Sequence, residues 1–127
     1  MRRREAQALL AGRFFHGAYY LSGYALECAL KACIAKQTKL HQFPDKKLAQ
    51  DAHQHDLAKL LQLSGLQPEF DKELKTNAAL QLNWAIAKDW SEASRYKRSL
   101  TQAEARDLYS ACTARRNGLL SWISRRW

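Results

Sequence analysis

The amino-acid sequence predicts an all-α fold, and two observations lead to this expectation. The 127 residues include only five glycines and two prolines, which are too few turn formers for a multi-stranded sheet. Long runs of Ala, Leu, Gln, Lys, Glu and Arg favour helix, and residues 18–34 keep helical periodicity without a break. Because the length and the 46% hydrophobic content are typical of one domain, we expect a single all-α domain over residues 1–127.

The first two helices are predicted on either side of Gly12. The first covers residues 2–11 and has three arginines in its first turn, which oppose the helix dipole unless an anion lies near them. The second and longest helix is predicted from Phe14 to Gln37. Gly17 and Gly23 weaken it slightly, and this indicates that they serve close packing.

Two shorter helices are predicted in the middle of the chain. Residues 38–55 contain Pro44 and follow no sustained period, so they are expected to form the main loop. A helix over residues 56–63 begins with an acid and stops at a Ser-Gly pair. Pro at the first turn and apolar residues at helical spacing then predict one helix over residues 68–88.

The last part of the chain is predicted to form a loop and one long helix. Residues 89–99 mix small polar residues with an Arg-Tyr pair, which is typical of a loop. Thr101 and Glu104 have the spacing of a capping box. The apolar periodicity that follows predicts a helix to the C-terminus, with a kink at Gly118.

The second helix has two distinct faces. Small residues share one face, where a neighbouring helix can approach closely: Ala18, Ser22, Ala25, Ala29 and Ala32. Polar and aromatic residues share a second stripe, which is the expected place of function: Arg13, His16, Tyr20, Tyr24, Glu27 and Lys31. Glu27 lies among small apolar residues and therefore requires a partner, which is Lys31, Arg95 or a tyrosine hydroxyl. A buried salt bridge is its expected role, and general-base chemistry is the alternative.

Positive charge is concentrated at the two ends of the chain. The net charge is +9; residues 1–39 contribute +5, residues 101–127 contribute +3 and the middle is close to neutral. If the terminal helices lie side by side, this charge forms one surface suited to a nucleic acid or a nucleotide. The candidate basic surface consists of Arg115, Arg116, Arg125 and Arg126. The alternative is a basic exterior that only aids solubility.

The three cysteines are expected to be buried free thiols, because they lie in apolar helical patterns and an odd number does not complete a disulfide framework. With no apolar run long enough for a signal peptide or a membrane span, we expect a cytoplasmic protein with no membrane contact. The histidines and acids at residues 51–56 match no metal-ligand pattern, and His55 with Asp56 is expected to cap a helix. Neither a metal nor a cofactor is predicted.

Several segments together resemble HEPN-domain proteins of prokaryotes. The run from Gly17 to Cys33, Gly-Ala-Tyr-Tyr-Leu-Ser-Gly-Tyr-Ala-Leu-Glu-Cys-Ala-Leu-Lys-Ala-Cys, is similar to the signature helix of that family. The segments His-Asp-Leu at 55–57, Asp-Trp-Ser-Glu at 89–92 before Arg95 and Tyr96, and Gly-Leu-Leu-Ser-Trp-Ile at 118–123 match in the same order. The resemblance implies an up-and-down bundle of four to five helices that forms a homodimer. It also implies a role in a toxin–antitoxin or defence module, often beside a small nucleotidyltransferase.

The resemblance leaves open whether the chain is an enzyme. HEPN ribonucleases carry an Arg followed by a His after four to six residues, and no histidine of this chain follows an arginine in that way. The candidate ligand-binding residues are therefore Arg95, Tyr96, Lys31, Glu27 and Tyr24, with Arg95 suited to a phosphate and Tyr96 to a base. The alternative role for Arg95 is to pair with Glu27 and only tie the loop to the second helix. The function expected is nucleic-acid or nucleotide binding, and the alternatives are a metal-independent endoribonuclease toxin, using Arg95 with His55 or His16, and a pure protein-interaction module.

Overall fold

The computed structural model describes residues 2–40, 55–91 and 100–126, and within these ranges all regular secondary structure is α-helical. This confirms the all-α prediction. Seven helices occur there: α1 (Arg2–Ala11), α2 (Phe15–Leu40), α3 (Leu57–Leu63), α4 (Gln67–Leu74), α5 (Ala78–Ala87), α6 (Gln102–Thr113) and α7 (Leu119–Arg126). Most of the expected main loop, at residues 41–54, lies outside the described residues, as do Arg95 and Tyr96.

The corner between α1 and α2 forms where the sequence predicts it. The Phe14 N–H donates to the Leu9 carbonyl over 2.7 Å, and Arg13 takes a left-handed backbone with φ of 66°. Arg13 therefore lies in the turn, and the prediction that it belongs to the polar stripe of α2 is wrong. A Cβ on Gly17 would lie 2.9 Å from Leu9 Cδ1, so the glycine allows α2 to approach α1 closely.

The helix α2 continues to Leu40, three residues beyond the predicted end. No Gly or Pro lies between Gln37 and Leu40 to end the helix. The loss of apolar periodicity after Gln37 does not by itself end α2. The boundaries of α3 follow the sequence closely. Asp56 Oδ1 accepts from the Ala58 N–H at 3.0 Å and the Lys59 N–H at 3.3 Å, which satisfies donors at the helix N-terminus.

The predicted single helix over residues 68–88 is wrong, because the structure has two helices there, α4 and α5. Asn77 ends the continuity: its Oδ1 accepts from the Leu80 N–H at 3.0 Å and caps α5. Its Nδ2 donates to Asn117 Oδ1 at 2.9 Å. An Asn side chain that bonds to backbone N–H groups competes with a continuous helix, and the contact to Asn117 holds the break against the turn before α7.

The predicted single C-terminal helix is also wrong. Thr101 caps α6 as expected, accepting from the Glu104 N–H at 3.1 Å, but α6 stops at Thr113 and α7 begins at Leu119. A Cβ on Gly118 would lie only 2.2 Å from the Ala114 carbonyl oxygen. Gly118 therefore permits a full break with a tight turn, where the sequence predicted only a kink.

The core forms where α2 packs against α3, α6 and α7. Phe70 contacts Trp122 edge-on at 5.0 Å between ring centroids and Trp84 at 5.3 Å. Fully burying a side chain of this kind contributes about 1.5–3 kcal/mol. Leu26 and Leu30 of α2 belong to the same core as Leu57 and Leu60 of α3. This places the middle of α2 beside the start of α3, which is where the candidate site lies.

Candidate functional site

Glu27 is the buried centre of the candidate site. It lies midway along α2, and only 2% of its surface is exposed. Its Oε1 is 2.8 Å from His55 Nδ1, and its Oε2 is 3.4 Å from Lys31 Nζ. The predicted Glu27–Lys31 pair is thus confirmed, and the expected buried salt bridge is present. His55 is a second partner that the sequence did not identify for Glu27.

His55 is positioned by the start of α3. It directly precedes Asp56, whose side chain caps that helix, and Leu57, which is fully buried. A capped and anchored helix start thus fixes the backbone beside α2. The sequence predicts helix-start capping and hydrogen bonding for His55 and Asp56; Asp56 forms the cap, and the His55 ring forms a hydrogen bond, with Glu27 as its partner. The need of a buried Glu27 for a partner was the one sequence signal for this contact. It does not indicate His55 as that partner, because the two residues are 28 positions apart in the sequence.

The contact between His55 and Glu27 bears on which ring nitrogen carries the proton. A carboxylate only accepts hydrogen bonds when it is ionised, and a neutral imidazole facing it would then carry its proton on Nδ1. The His55 side chain is 42% exposed and that of Lys31 is 33% exposed. The carboxylate is therefore withdrawn from water, while its two partners reach the surface. This arrangement orients an imidazole for proton transfer and places an ammonium group one helical turn away.

Aromatic rings flank the site on its N-terminal side. The Tyr20 and Tyr24 rings are stacked, with centroids 5.9 Å apart, and Tyr20 is 6.0 Å from the Trp90 ring. Trp90 packs directly on Gly23, because a Cβ at that position would lie 2.3 Å from three indole atoms. Tyr24 is one turn before Glu27 on α2, so three of the predicted ligand-binding residues, Tyr24, Glu27 and Lys31, lie along one side of this helix.

Of the four arginines in the predicted basic surface, three are exposed and one packs against neighbouring side chains. Arg115, Arg116 and Arg125 are exposed, and Arg125 donates to the Arg116 carbonyl at 3.1 Å. Arg126 instead contacts Glu69 Oε2 at 2.8 Å, donates to the Trp122 carbonyl and lies 3.8 Å above the Trp122 ring. Arg126 is thus part of the packing around α7, and three of the four predicted arginines are left for a surface.

The first and last described helices, α1 and α7, line one groove together with α2 and α6. Arg3 of α1 and Ser124 of α7 both line it. Residues of α1 and α7 thus line one groove, but these two helices are not among the pairs that pack extensively on each other, so the expectation that the basic terminal helices lie side by side stays a prediction. On the small-residue face of α2, Ala18 and Ser22 are buried, whereas Ala29 and Ala32 line this groove.

The cysteines differ in exposure. Cys33 and Cys112 are buried free thiols as predicted, but Cys28 is exposed, so the prediction is wrong there. Cys28 follows Glu27 and lies on the outer side of α2. Burial raises the pKa of the Cys112 thiol to about 12. Burial also raises the pKa of Cys33, and Lys36 partly opposes that shift.

Neither a membrane-spanning helix, nor a metal-binding cluster, nor a known relative points to a function, as far as the described residues and the comparisons with known proteins go. Among the described helices, none is long and apolar enough to cross a membrane. Over the same part of the chain, no three His, Cys, Asp or Glu side chains come together in a way that suits a metal ion. Neither the family models nor the curated proteins nor the solved structures contain a match to this chain.

Proposed function

We propose that this chain is a HEPN-type up-and-down helical bundle that binds a nucleic acid or a nucleotide. In this proposal it acts as a homodimer within a two-gene toxin–antitoxin or defence module, beside a small nucleotidyltransferase. The observation that carries the binding function is that α1 and α7, which contain the positively charged terminal parts of the described sequence, both line one groove. Arg3, Arg115, Arg116 and Arg125 are exposed on these elements and the turn before α7.

The charge distribution supports a polyanion more strongly than a neutral partner. Arg side chains bind phosphate oxygens through a planar fork of donors, and neutralising phosphates releases counterions. The aromatic rings of Tyr20 and Tyr24 provide a separate stacking surface, because bases stack on aromatic side chains. These features together suit a single-stranded RNA or a nucleotide.

The binding function is tested by titrating fluorescent short RNA and labelled ATP with the protein at several salt concentrations. The expected result is saturable binding that weakens as salt rises. On single strands each phosphate contact contributes about 0.7 to the slope of log K against log salt. Replacing both Arg115 and Arg116 by Gln is therefore expected to lower the slope by up to about 1.4.

A matched control removes the same charge elsewhere. Lys59 and Lys72 are exposed on α3 and α4, in the nearly neutral middle of the sequence, and their double Gln variant is expected to keep the wild-type slope. Equal losses in the two double variants would mean that only the net charge matters. Absence of salt-sensitive binding to both RNA and ATP would refute the proposed binding function.

A second candidate function is metal-independent endoribonuclease activity, and the contact between His55 and Glu27 favours it. With Nδ1–H directed to Glu27, His55 Nε2 has the lone pair needed to accept the proton of a ribose 2′-hydroxyl. Lys31 is positioned to stabilise negative charge on the phosphate. In this hypothesis Glu27 orients the imidazole and His55 is the general base, with Arg95 as a further cation.

This candidate is tested by incubating the purified protein with RNA in the presence of a chelator. His55→Ala is expected to abolish cleavage, and Glu27→Gln is expected to reduce it strongly while leaving RNA binding intact. His16→Ala is the control, because His16 lies near the start of α2 and is neither a hydrogen-bond nor an ion-pair partner of Glu27. Equal cleavage by wild type and His55→Ala would exclude His55 as the base and indicate a contaminating nuclease.

A further inference from the structure

We propose that the groove between α1, α2, α6 and α7 binds a small amphipathic acid, with a hydrocarbon chain along its floor and a carboxylate at Arg3. The cavity has a volume of about 330 Å³, which lies in the range of small-molecule sites. This ligand class goes beyond the nucleic-acid function proposed above and depends on different chemistry.

The floor of the groove is apolar. Ala29 and Ala32 line it from α2, and Leu120 and Ile123 line it from α7. The two alanines leave the space open, because a longer side chain at either position would extend into it. A hydrocarbon chain in this space would displace water from apolar surface on both sides, which is the main source of affinity for such a ligand.

The hydroxyl groups in the groove are already used as donors. Thr113 Oγ1 donates to the Tyr109 carbonyl at 2.7 Å, Ser121 Oγ to the Ala114 carbonyl at 3.0 Å, and Ser124 Oγ to the Ser121 carbonyl at 3.2 Å. These three side chains therefore present methyl or methylene groups and acceptor oxygens to the cavity. Inside the cavity they offer no spare donor to a phosphate or a sugar, so the polyanion proposed above would contact the exposed arginines outside the cavity and not its floor.

Arg3 provides the charge that an acid requires. It lies in the first turn of α1 and is exposed. Among the described residues, no carboxylate lies within ion-pair distance of its guanidinium. The positive end of the α1 dipole adds to the positive electrostatic potential at Arg3. Both the guanidinium charge and the helix dipole therefore favour a carboxylate beside Arg3.

The same charge disfavours a second copy of the chain as the occupant. Arg3 and its neighbour Arg4 are both exposed, and Arg3 lines the groove, so a basic chain seated in this groove would bring further positive charge towards them. Like charges brought together oppose association. An anionic small molecule relieves this charge, which is why we assign it to the groove.

The test is calorimetric titration of the full chain with decanoate, at concentrations below micelle formation. One decanoate per chain is expected to bind, with the negative heat-capacity change that accompanies burial of apolar surface. Decanol and decylammonium match the chain length without the negative charge, and acetate supplies the charge without the chain. Each is expected to bind at least about tenfold more weakly, because a charge-assisted hydrogen bond or the apolar contact is lost.

Variants separate the groove from the rest of the surface. Ala32→Leu fills the cavity from an exposed position on α2, and Arg3→Gln removes the charge; each is expected to weaken decanoate binding at least about tenfold. Arg4→Gln is the matched control, because Arg4 is the exposed neighbour of Arg3 and does not line the groove. It is expected to bind decanoate as the wild type does.

Three results would overturn the proposal. Equal binding of decanol and decanoate would exclude the carboxylate contact, and equal effects of Arg3→Gln and Arg4→Gln would exclude a specific site. If decanoate does not bind and Ala32→Leu changes the sedimentation of the protein, the groove is a contact between two copies. None of these results depends on RNA binding, so the two proposals fail independently.

Discussion

Replacing His55 by Ala is expected to destabilise the fold by about 2 kcal/mol at neutral pH. Glu27 is 2% exposed, and the variant would leave its carboxylate with Lys31 alone, at 3.4 Å. A hydrogen bond to a charged group contributes about 1.5–3 kcal/mol. Because the His55 side chain is 42% exposed, water can partly replace the imidazole, and the loss falls in the lower part of that range.

The assay for this prediction is urea unfolding of four proteins in a double-mutant cycle: wild type, His55→Ala, Glu27→Gln and the double variant. Neutral Gln no longer needs a charged partner, so the loss on removing His55 is expected to shrink by about 1–2 kcal/mol in the Glu27→Gln background. The dependence on urea is expected to keep its slope, since the same surface is exposed on unfolding.

Two controls define what would refute the reasoning. Lys31→Ala is expected to lower stability by only about 0.5 kcal/mol, because its ion pair is longer and partly exposed. His16→Ala is expected to show no coupling to Glu27→Gln. A loss below about 0.5 kcal/mol for His55→Ala, or additive effects in the cycle, would show that His55 does not stabilise the buried carboxylate.

Three further predictions concern the break before α7 and the thiols. Gly118→Ala is expected to lower the free energy of unfolding, measured in urea, by about 1–3 kcal/mol, since its Cβ would lie 2.2 Å from the Ala114 carbonyl oxygen. The control is Gly12→Ala, whose Cβ would lie 3.1 Å from the Phe14 side chain. Equal losses in the two variants would contradict the tight turn at Gly118. Burial raises the pKa of Cys112 from 9.0 to about 12, so the folded state holds this proton more tightly: its contribution is complete below pH 9 and is lost as pH rises towards 12. Relative to Cys112→Ala, the wild type should lose about 1.4 kcal/mol per pH unit in that window, and parallel pH profiles would refute the burial effect. Iodoacetamide should label Cys28 in the folded protein well before Cys33 or Cys112, as followed by peptide mass spectrometry, and simultaneous labelling of all three would contradict the assigned exposures.

The elements that the sequence predicted correctly are those with local signals. Asp56 and Thr101 cap helices through bonds to N–H groups two or three residues away, so their roles follow from spacing alone. The contact between Glu27 and Lys31 is likewise local, because positions four apart lie on the same side of a helix.

The features that the sequence did not predict depend on tertiary contacts. Asn77 separates α4 from α5 with the help of Asn117, 40 residues away, and an Asn within an apolar period does not by itself show such a break. His55 meets Glu27 only because α3 packs on α2, so local spacing could not reveal the pair. The exposure of Cys28 likewise depends on which side of α2 the other helices cover.

The pairing of His55 with Glu27 is the feature on which the candidate catalytic site depends, and the most direct test is the tautomer of the His55 ring. Long-range nitrogen–proton NMR distinguishes a ring protonated at Nδ1 from one protonated at Nε2. The structure predicts the Nδ1–H form for neutral His55 in the wild type and a weaker preference in Glu27→Gln, whose amide can accept from or donate to Nδ1. A predominantly Nε2–H ring in the wild type, unchanged by Glu27→Gln, would contradict the pairing.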